Sequence, residues 1–193
     1  MELEVVAIVL SIVSTIVTFV DTYLNQFRRG RVSVPPLRAY RLEPLNFHAD
    51  GESYRAVRMT AGLTFVNTGA LSRVVDNLRI RLAVPGAPHD LILNWRDECD
   101  AIEHTQSTPR FATQPTLGPY ESISKIYAFS SPTEPTYGKI VSQLETYGEE
   151  NPQLTIPAKV EMLSEGTWVS VRDFQFAYSG RHMLETDFDR INR

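Results

Sequence analysis

The chain has 193 residues, of which 42% are hydrophobic and 22% are charged, a composition typical of a packed globular protein. A chain of this length accommodates one ordinary domain with an appendage more easily than two full domains. Its formal net charge of -4 provides no basic field for binding nucleic acid, so we expect no nucleic-acid partner.

The sequence offers little evidence for disulfide bonds or catalysis. The single cysteine, Cys99, excludes an internal disulfide, and the sequence contains no Asn-x-Ser/Thr glycosylation site, which favours a reducing compartment. The sequence also lacks G-x-S-x-G, H-E-x-x-H, G-x-G-x-x-G, Walker and paired C-x-x-C motifs. We therefore predict a protein that is not an enzyme and needs no cofactor.

Residues 1–31 are predicted to form a membrane helix that ends in a basic stop. The run Val5–Val20 carries no charge, and the 23 positions Val5–Phe27 extend about 34 Å as a helix, which is enough to cross a bilayer core. The segment opens with Glu2 and Glu4 and lacks a small-residue cleavage pattern. We expect it to remain uncleaved.

The basic residues around this helix predict its orientation. Arg28, Arg29 and Arg31 follow the apolar run, and no lysine or arginine precedes it. The positive-inside rule then places the N-terminus outside and the rest of the chain in the cytoplasm. The sequence predicts a single-pass membrane protein with a cytoplasmic domain and the lipid bilayer as a partner.

Polar side chains gather on one side of the predicted helix, within an arc of about 120°. They are Ser11, Ser14, Thr15, Thr18, Asp21, Thr22 and Asn25. Ser11/Thr15 and Ser14/Thr18 have the small-xxx-small spacing that permits close helix packing, which predicts self-association as a dry bundle or as a ring around water. The alternative is that the hydroxyls bond back to their own helix and that Asp21 lies at the membrane interface.

Residues 32–36 are predicted to be a stiff linker, because Pro35 and Pro36 forbid helix continuation, and residues 37–181 to be a cytoplasmic β domain. Short apolar runs separated by turn residues predict seven strands: Leu37–Leu42, Val57–Val66, Ser72–Val84, Leu91–Trp95, Ser122–Ser130, Leu154–Leu163 and Trp168–Tyr178. The second and third of these are expected to pair directly, and Ser164–Thr167 is expected to be a hairpin turn.

One helix is expected to interrupt the strands. Apolar residues recur at helical spacing from Tyr137 to Tyr147, and Gly148 follows as a candidate C-cap. Seven strands with one inserted helix and no alternating strand-helix rhythm predict a mainly β fold, specifically an antiparallel sandwich of immunoglobulin-like architecture. Residues 182–193 are predicted to be a C-terminal tail, either a helix with Leu184, Phe188 and Ile191 on one side or a frayed end.

Two groups of residues are candidates for binding. The first is a set of arginines near Tyr40 and Tyr54: Arg38, Arg41, Arg55 and Arg58. If they converge in space, they would contact a phosphate-bearing ligand or lipid headgroups. Otherwise they are dispersed surface residues. The second group has the side-chain types that bind metals, and it consists of His89, Asp97, Cys99 and His104. Because their spacing matches no known metal-binding pattern, we favour a solvated acidic loop without a metal. Trp95 and Trp168 are predicted core anchors.

These patterns predict a non-enzymatic adaptor that forms a homo-oligomer through its membrane helix and presents a β-sandwich to a partner protein. The alternative is a small bacterial membrane effector whose β domain senses a small-molecule ligand and drives the helices to assemble into a pore. Leucine substitutions at Ser11, Ser14, Thr15 and Thr18 test the role of this face, because a simple anchor tolerates leucine there, whereas a pore or a polar bundle should fail.

Overall fold

A computed structural model of the chain describes residues 2–24, 30–37, 39–49, 52–102, 109–151 and 154–178, and the protein is mainly β. In chain order the elements are α1 (Glu2–Thr22), β1 (Val32–Ser33), β2 (Tyr40–Ala49), β3 (Glu52–Asn67), β4 (Arg73–Val74), β5 (Leu78–Leu82), β6 (Leu91–Cys99), β7 (Arg110–Phe111), β8 (Thr116–Leu117), β9 (Ser122–Ser130), α2 (Pro135–Glu150), β10 (Leu154–Ser164) and β11 (Thr167–Tyr178). The predicted tail, residues 182–193, lies outside the described residues.

Helix α1 is long and apolar enough to span a membrane. Its 21 residues extend about 32 Å. None of the residues Val5–Thr22 is buried against the rest of the chain. Exposure of such a continuous apolar surface to water is unfavourable, so α1 requires an apolar environment or a partner.

The long strands form one antiparallel sheet in the order β1-β3-β9-β6-β5-β10-β11, with β2 also paired to β3 and β7 to β6. Tyr40 of β2 lies close to two rings of β11, with centroid distances of 6.3 Å to Phe174 and 5.0 Å to Phe176. The first and last strands of the sheet therefore approach each other, and the sheet is nearly closed into a barrel. Strands β4 and β8 form a separate two-stranded ladder.

The predicted immunoglobulin-like sandwich is not confirmed, because the long strands follow one another in a single curved sheet. The predicted pairing of Val57–Val66 with Ser72–Val84 is wrong, since β3 pairs with β1, β2 and β9, whereas β5 pairs with β6 and β10. The predicted third strand is also divided into β4 and β5. The Val75 N–H donates to the Pro115 carbonyl oxygen, and this contact holds the connection away from the sheet.

The first hairpin is longer than its sequence suggests. Strands β2 and β3 pair continuously from Tyr40 opposite Ala61 to Ala49 opposite Glu52, although Glu43 and Pro44 interrupt the apolar pattern. Proline is compatible with β2 because this strand has β3 as its one hydrogen-bonded neighbour within the described residues. By contrast, β9 has the predicted bounds Ser122–Ser130.

The predicted hairpin turn between β10 and β11 is confirmed. Ser164 lies opposite Thr167 in the register, and the two residues between them, Glu165 and Gly166, have φ angles of 51° and 78°. Two successive positive φ angles are the signature of the type I′ turn, whose twist matches that of the strands it joins.

Helix α2 is present where helical spacing predicts it, but it is longer at both ends. Gly148 is buried within the helix and is not its C-cap, because the helix continues to Glu150 and ends at Asn151. Ile140, Val141 and Leu144 are buried in the core of the barrel. Helix α2 therefore covers the distal end of the barrel, which we define as the end where Ala49 of β2 pairs with Glu52 of β3. The opposite end, where β1 begins, is the proximal end.

The barrel core contains large aromatic side chains. Trp95 packs edge-on against Tyr127 at a centroid distance of 5.2 Å, as expected of a core anchor. Tyr127 is fully buried, and burial raises the pKa of its phenol well above the ordinary value. Trp168 differs from the prediction, since it lies on the outer face with the guanidinium group of Arg79 at 4.2 Å from its ring centroid.

Candidate functional site

The polar face of α1 is exposed, and two of its hydroxyl groups bond within the helix. The Thr15 hydroxyl donates to the Ser11 carbonyl oxygen at 2.9 Å. The Thr18 hydroxyl donates to the Ser14 carbonyl oxygen at 2.9 Å. These two hydrogens need no acceptor on a second helix, although the small side chains still permit close helix packing. Of the other predicted residues, Asp21 and Thr22 in α1 and Arg31 after it are described, whereas Asn25, Arg28 and Arg29 lie outside the described residues.

Two of the four candidate arginines lie on the outer face of neighbouring strands. Arg41 forms an ion pair with Glu43 at 2.7 Å. Arg58, directly opposite Glu43 in the β2–β3 register, lies 3.6 Å from Asp97 and 3.7 Å from the sulfur of Cys99. Both guanidinium groups are therefore already neighbours of carboxylates.

Arg55 lies elsewhere, at the distal end. It is an odd number of residues from Arg58, so the alternation of the strand turns it to the opposite face, toward α2. Its guanidinium group forms an ion pair with Glu145 at 2.8 Å and donates a hydrogen bond to the Ser142 hydroxyl at 3.2 Å. Arg38 lies outside the described residues. Among the described candidates, Arg41 and Arg58 therefore lie near each other beside Glu43, whereas Arg55 lies apart from them.

The candidate metal ligands are spread along β6. His89 precedes the strand at the distal end, where its ring lies 6.4 Å from that of Tyr137. Asp97 lies six residues beyond Leu91, the first residue of β6, which is about 20 Å at about 3.3 Å per residue, and Cys99 is buried beyond it. His104 lies outside the described residues. Within the described part of the chain, no three His, Cys, Asp or Glu side chains are grouped so as to hold a metal ion.

An open groove of about 910 Å³ lies at the distal end between α2 and the start of β3. We call it the distal groove. Its lining combines two aromatic rings, charges of both signs and several neutral polar groups: Tyr54, Arg55, Glu134, Pro135, Gly138, Lys139, Ser142, Gln143, Thr146, Tyr147 and Glu150. The Arg55 side chain is 52% exposed, so a carboxylate or phosphate of a partner reaches it without displacing the core.

At the proximal end the chain that follows α1 is fixed to the barrel. Gly30 has a φ of 58°, and a side-chain carbon built on it would lie 2.2 Å from Gly69 backbone atoms, so a residue without a side chain is required there. The Arg31 N–H donates to the Thr68 hydroxyl at 3.0 Å, and the Thr68 N–H donates to the Arg31 carbonyl oxygen at 3.1 Å. The segment predicted as a linker then continues with β1, which pairs with β3.

A second open cleft, of about 870 Å³, lies near this attachment. It runs between residues of β1 and β4 on one side and the β10–β11 hairpin on the other, where the barrel is not closed by hydrogen bonds. Arg31 and Arg73 contribute positive charge, and Val74 and Val169 contribute apolar surface. We call it the proximal cleft.

Sequence reasoning missed a charged ladder on the outer face of β5 and β10. Glu161, with a side chain 7% exposed, forms ion pairs with Arg79 at 2.5 Å and Arg81 at 3.2 Å. Arg81 also pairs with Asp90, and its hydrogen bond to that carboxylate raises its pKa. The alternating arginines 79 and 81 were a signal for an outward face, but their acidic partner is about 80 residues away in the sequence. All four charges are paired, so the ladder is structural.

The comparisons with known proteins add no relative: no family model matches the chain, and no curated sequence matches it.

Proposed function

We propose that this protein is a non-enzymatic, single-pass membrane protein whose barrel is a binding module. The observation that carries the proposal is α1, in which the span Val5–Thr22 is apolar and the barrel covers none of it. A helix of this length exposed in water is unfavourable, whereas a bilayer core stabilises it. The barrel supplies a packed scaffold with open surfaces at both ends.

Alkaline extraction of membranes tests the anchor. The native chain stays in the pellet, and a variant with Ile12→Arg and Ile16→Arg moves to the supernatant, because each arginine at the helix centre costs about 3 kcal/mol on insertion scales. Ser11→Leu is the matched control and stays in the pellet. Extraction of the native chain by alkali would contradict the proposal.

The proposed orientation places the barrel in the cytoplasm, and it rests on the arginines that follow α1. It is tested with Thr133→Cys in a Cys99→Ser background, since residue 133 is exposed at the distal end. A membrane-impermeant maleimide should label this cysteine after the membrane is permeabilised and not before. Labelling of intact cells would mean that the barrel lies outside, and it would not contradict the proposed membrane anchor.

The proposed self-association of α1 depends on shape more than on hydroxyl bridges, because Thr15 and Thr18 already donate within their own helix. We expect Thr15→Val, which keeps the shape and removes the hydroxyl, to leave the mass of the protein in mild detergent unchanged. Thr15→Leu adds bulk to the same position and should lower the mass to that of a monomer. A monomeric native chain would contradict self-association.

The distal groove supports a protein partner as the occupant of the binding module. Arg55 and Lys139 are offset by Glu134 and Glu150, so the groove has no field of one sign. Small-molecule sites are usually more enclosed than this groove. We therefore expect an extended peptide segment that carries charges of both signs.

A photo-reactive amino acid tests this occupant in cells. Placed at Gln143 inside the groove, it should give a discrete covalent adduct with another protein. Placed at Lys159, which is exposed on the outer face of β10, it should give none. Equal cross-linking at both positions would contradict the groove as the recognition surface.

The polar face of α1 favours a second candidate function, a pore-forming effector in which a ligand of the barrel triggers helix assembly. The same threonine variants separate it from the first. A water-filled ring needs the hydroxyl groups, so Thr15→Val and Thr18→Val would abolish ion leak across vesicles. An anchor would show no leak in the native chain.

A further inference from the structure

Two loops at the proximal end are locked together by one buried side chain. Asn67, which is 1% exposed, donates from its amide nitrogen to the carbonyl oxygens of Leu71 and Gly118, both at 2.8 Å. Its amide oxygen accepts from the Gly69 N–H at 3.0 Å. The Tyr120 N–H also donates to the Gly69 carbonyl oxygen at 3.0 Å. Loops 67–72 and 118–121 therefore form one rigid unit.

This rigid unit presents large apolar side chains to the outside. Leu71 is 41% exposed and Tyr120 is 69% exposed, although each is held by a braced loop. Tyr120 has a φ of 54°, a left-handed backbone that is rare for a bulky residue and is retained where the surroundings impose it. Two ordered, joined loops that expose a leucine and a tyrosine are typical of a surface that meets the bilayer interface.

The end of α1 must lie close to this surface. Leu24 is the last described residue of the helical segment, and Gly30 is already in contact with Gly69 in the first of the two loops. Six residue steps at no more than about 3.5 Å each allow at most about 21 Å between them. If α1 spans a bilayer, its end lies near the headgroups, and the two loops lie within reach of the same layer.

We propose that Leu71 and Tyr120 form a second membrane contact that seats the proximal end of the barrel on the lipid headgroup and upper acyl region. This inference rests on the proposed membrane anchor and adds to it a defined contact surface and a defined direction for the barrel. The distal groove then faces away from the membrane, open to a partner in solution.

The test uses the full-length chain in phosphatidylcholine vesicles that contain lipid with a quencher at headgroup depth. A fluorescent label is placed on Ser72→Cys at the proximal end or on Thr133→Cys at the distal end, each in a Cys99→Ser background. Both positions are exposed. We expect the quencher to lower the emission of the label at residue 72 at least about twofold and to leave the label at residue 133 unchanged, because interfacial contact is shallow.

Two variants show which side chains produce the contact. Leu71→Glu with Tyr120→Glu should reduce quenching at residue 72 to the level at residue 133. Tyr120→Gly should reduce it in part, and it does not disturb the loop, because glycine accepts a φ of 54° without strain. In both variants the chain should still float with the vesicles, since α1 is intact.

The outcomes separate this inference from the anchor on which it rests. A chain that floats with vesicles but shows no quenching at residue 72, or equal quenching with and without the two side chains, overturns the second contact alone. A native chain that does not float overturns the anchor and this contact together.

Discussion

The two ends of the barrel are built in different ways. At the proximal end, Asn67 and the Gly30–Gly69 contact fix short loops through backbone hydrogen bonds and close approach. At the distal end, α2 closes the core through apolar packing, and the groove beside it is bordered by the exposed ion pair Arg55–Glu145.

This difference suggests a division of labour. Side-chain amide bonds to backbone atoms are directional, so the proximal end holds one geometry, which suits a surface of fixed orientation toward a membrane. Exposed ion pairs contribute little and rearrange easily, so the distal groove can adapt to a partner. Substitutions at the two ends should therefore differ in size as well as in kind.

The largest effect is expected at the distal core. Leu144 of α2 is fully buried, and Leu144→Ala should lower the free energy of unfolding by about 2 to 5 kcal/mol, because it removes apolar contacts and leaves a cavity. Urea denaturation of the full-length chain in mild detergent measures this, with Trp95 and Trp168 as reporters of the barrel. Glu149→Ala on the exposed side of α2 is the control and should change stability by less than about 0.5 kcal/mol. A small effect of Leu144→Ala would mean that α2 does not close the core.

The next largest effect on stability is expected at Asn67, at the proximal end. Asn67→Ala removes three hydrogen bonds and leaves the carbonyl oxygens of Leu71 and Gly118 without that donor, so stability should fall by about 2 kcal/mol in the same denaturation experiment. Asn94→Ala, at an exposed position of β6, should have almost no effect. Equal effects of the two substitutions would contradict the role of Asn67 in holding the two loops together.

Local patterns predicted the elements that local geometry determines. The apolar run of β9 between turn residues gave its bounds, and the sequence Ser164–Thr167 gave a hairpin turn, which the structure shows to be of type I′. Pairing partners were not predicted in the same way. Strand β3 pairs with β9, more than 50 residues later, and no local signal favours that neighbour over the next strand in the chain.

The candidate sites were less predictable, because they depend on distant residues. In the sequence Asn67 resembles an ordinary turn residue. Its role is visible only in the fold, where the carbonyl oxygen of Gly118, 51 residues away, accepts one of its hydrogen bonds. The separation of Arg55 from Arg58 was open to prediction, since an odd spacing in a strand places two side chains on opposite faces. The contact of Arg55 with Glu145 of α2 could not be predicted in this way, because it depends on where the helix packs.

A third prediction concerns how much the close approach of Gly30 to Gly69 constrains residue 30, measured as a change in the free energy of unfolding. Gly30 and Gly166 both have positive φ, but a side-chain carbon meets Gly69 backbone atoms at residue 30 and meets nothing within 4 Å at residue 166. Gly166→Ala should cost about 1 kcal/mol from backbone strain alone. Gly30→Ala should cost about 1 to 3 kcal/mol more, because the Gly69 backbone has to move to admit the side chain, and the excess measures the contact. Equal costs would show that the chain after α1 is not held tightly against the barrel.

The smallest effect is expected for the ion pair of the distal groove. Arg55 and Glu145 are 52% and 27% exposed, so water and salt screen their attraction. A double-mutant cycle with Arg55→Ala and Glu145→Ala should give a coupling energy below about 1 kcal/mol, decreasing further at high salt. A coupling well above that value would mean that the groove is as rigidly built as the proximal end. A weak coupling would allow Arg55 to exchange Glu145 for a carboxylate of the proposed partner, since the stability of the barrel then does not depend on the pair.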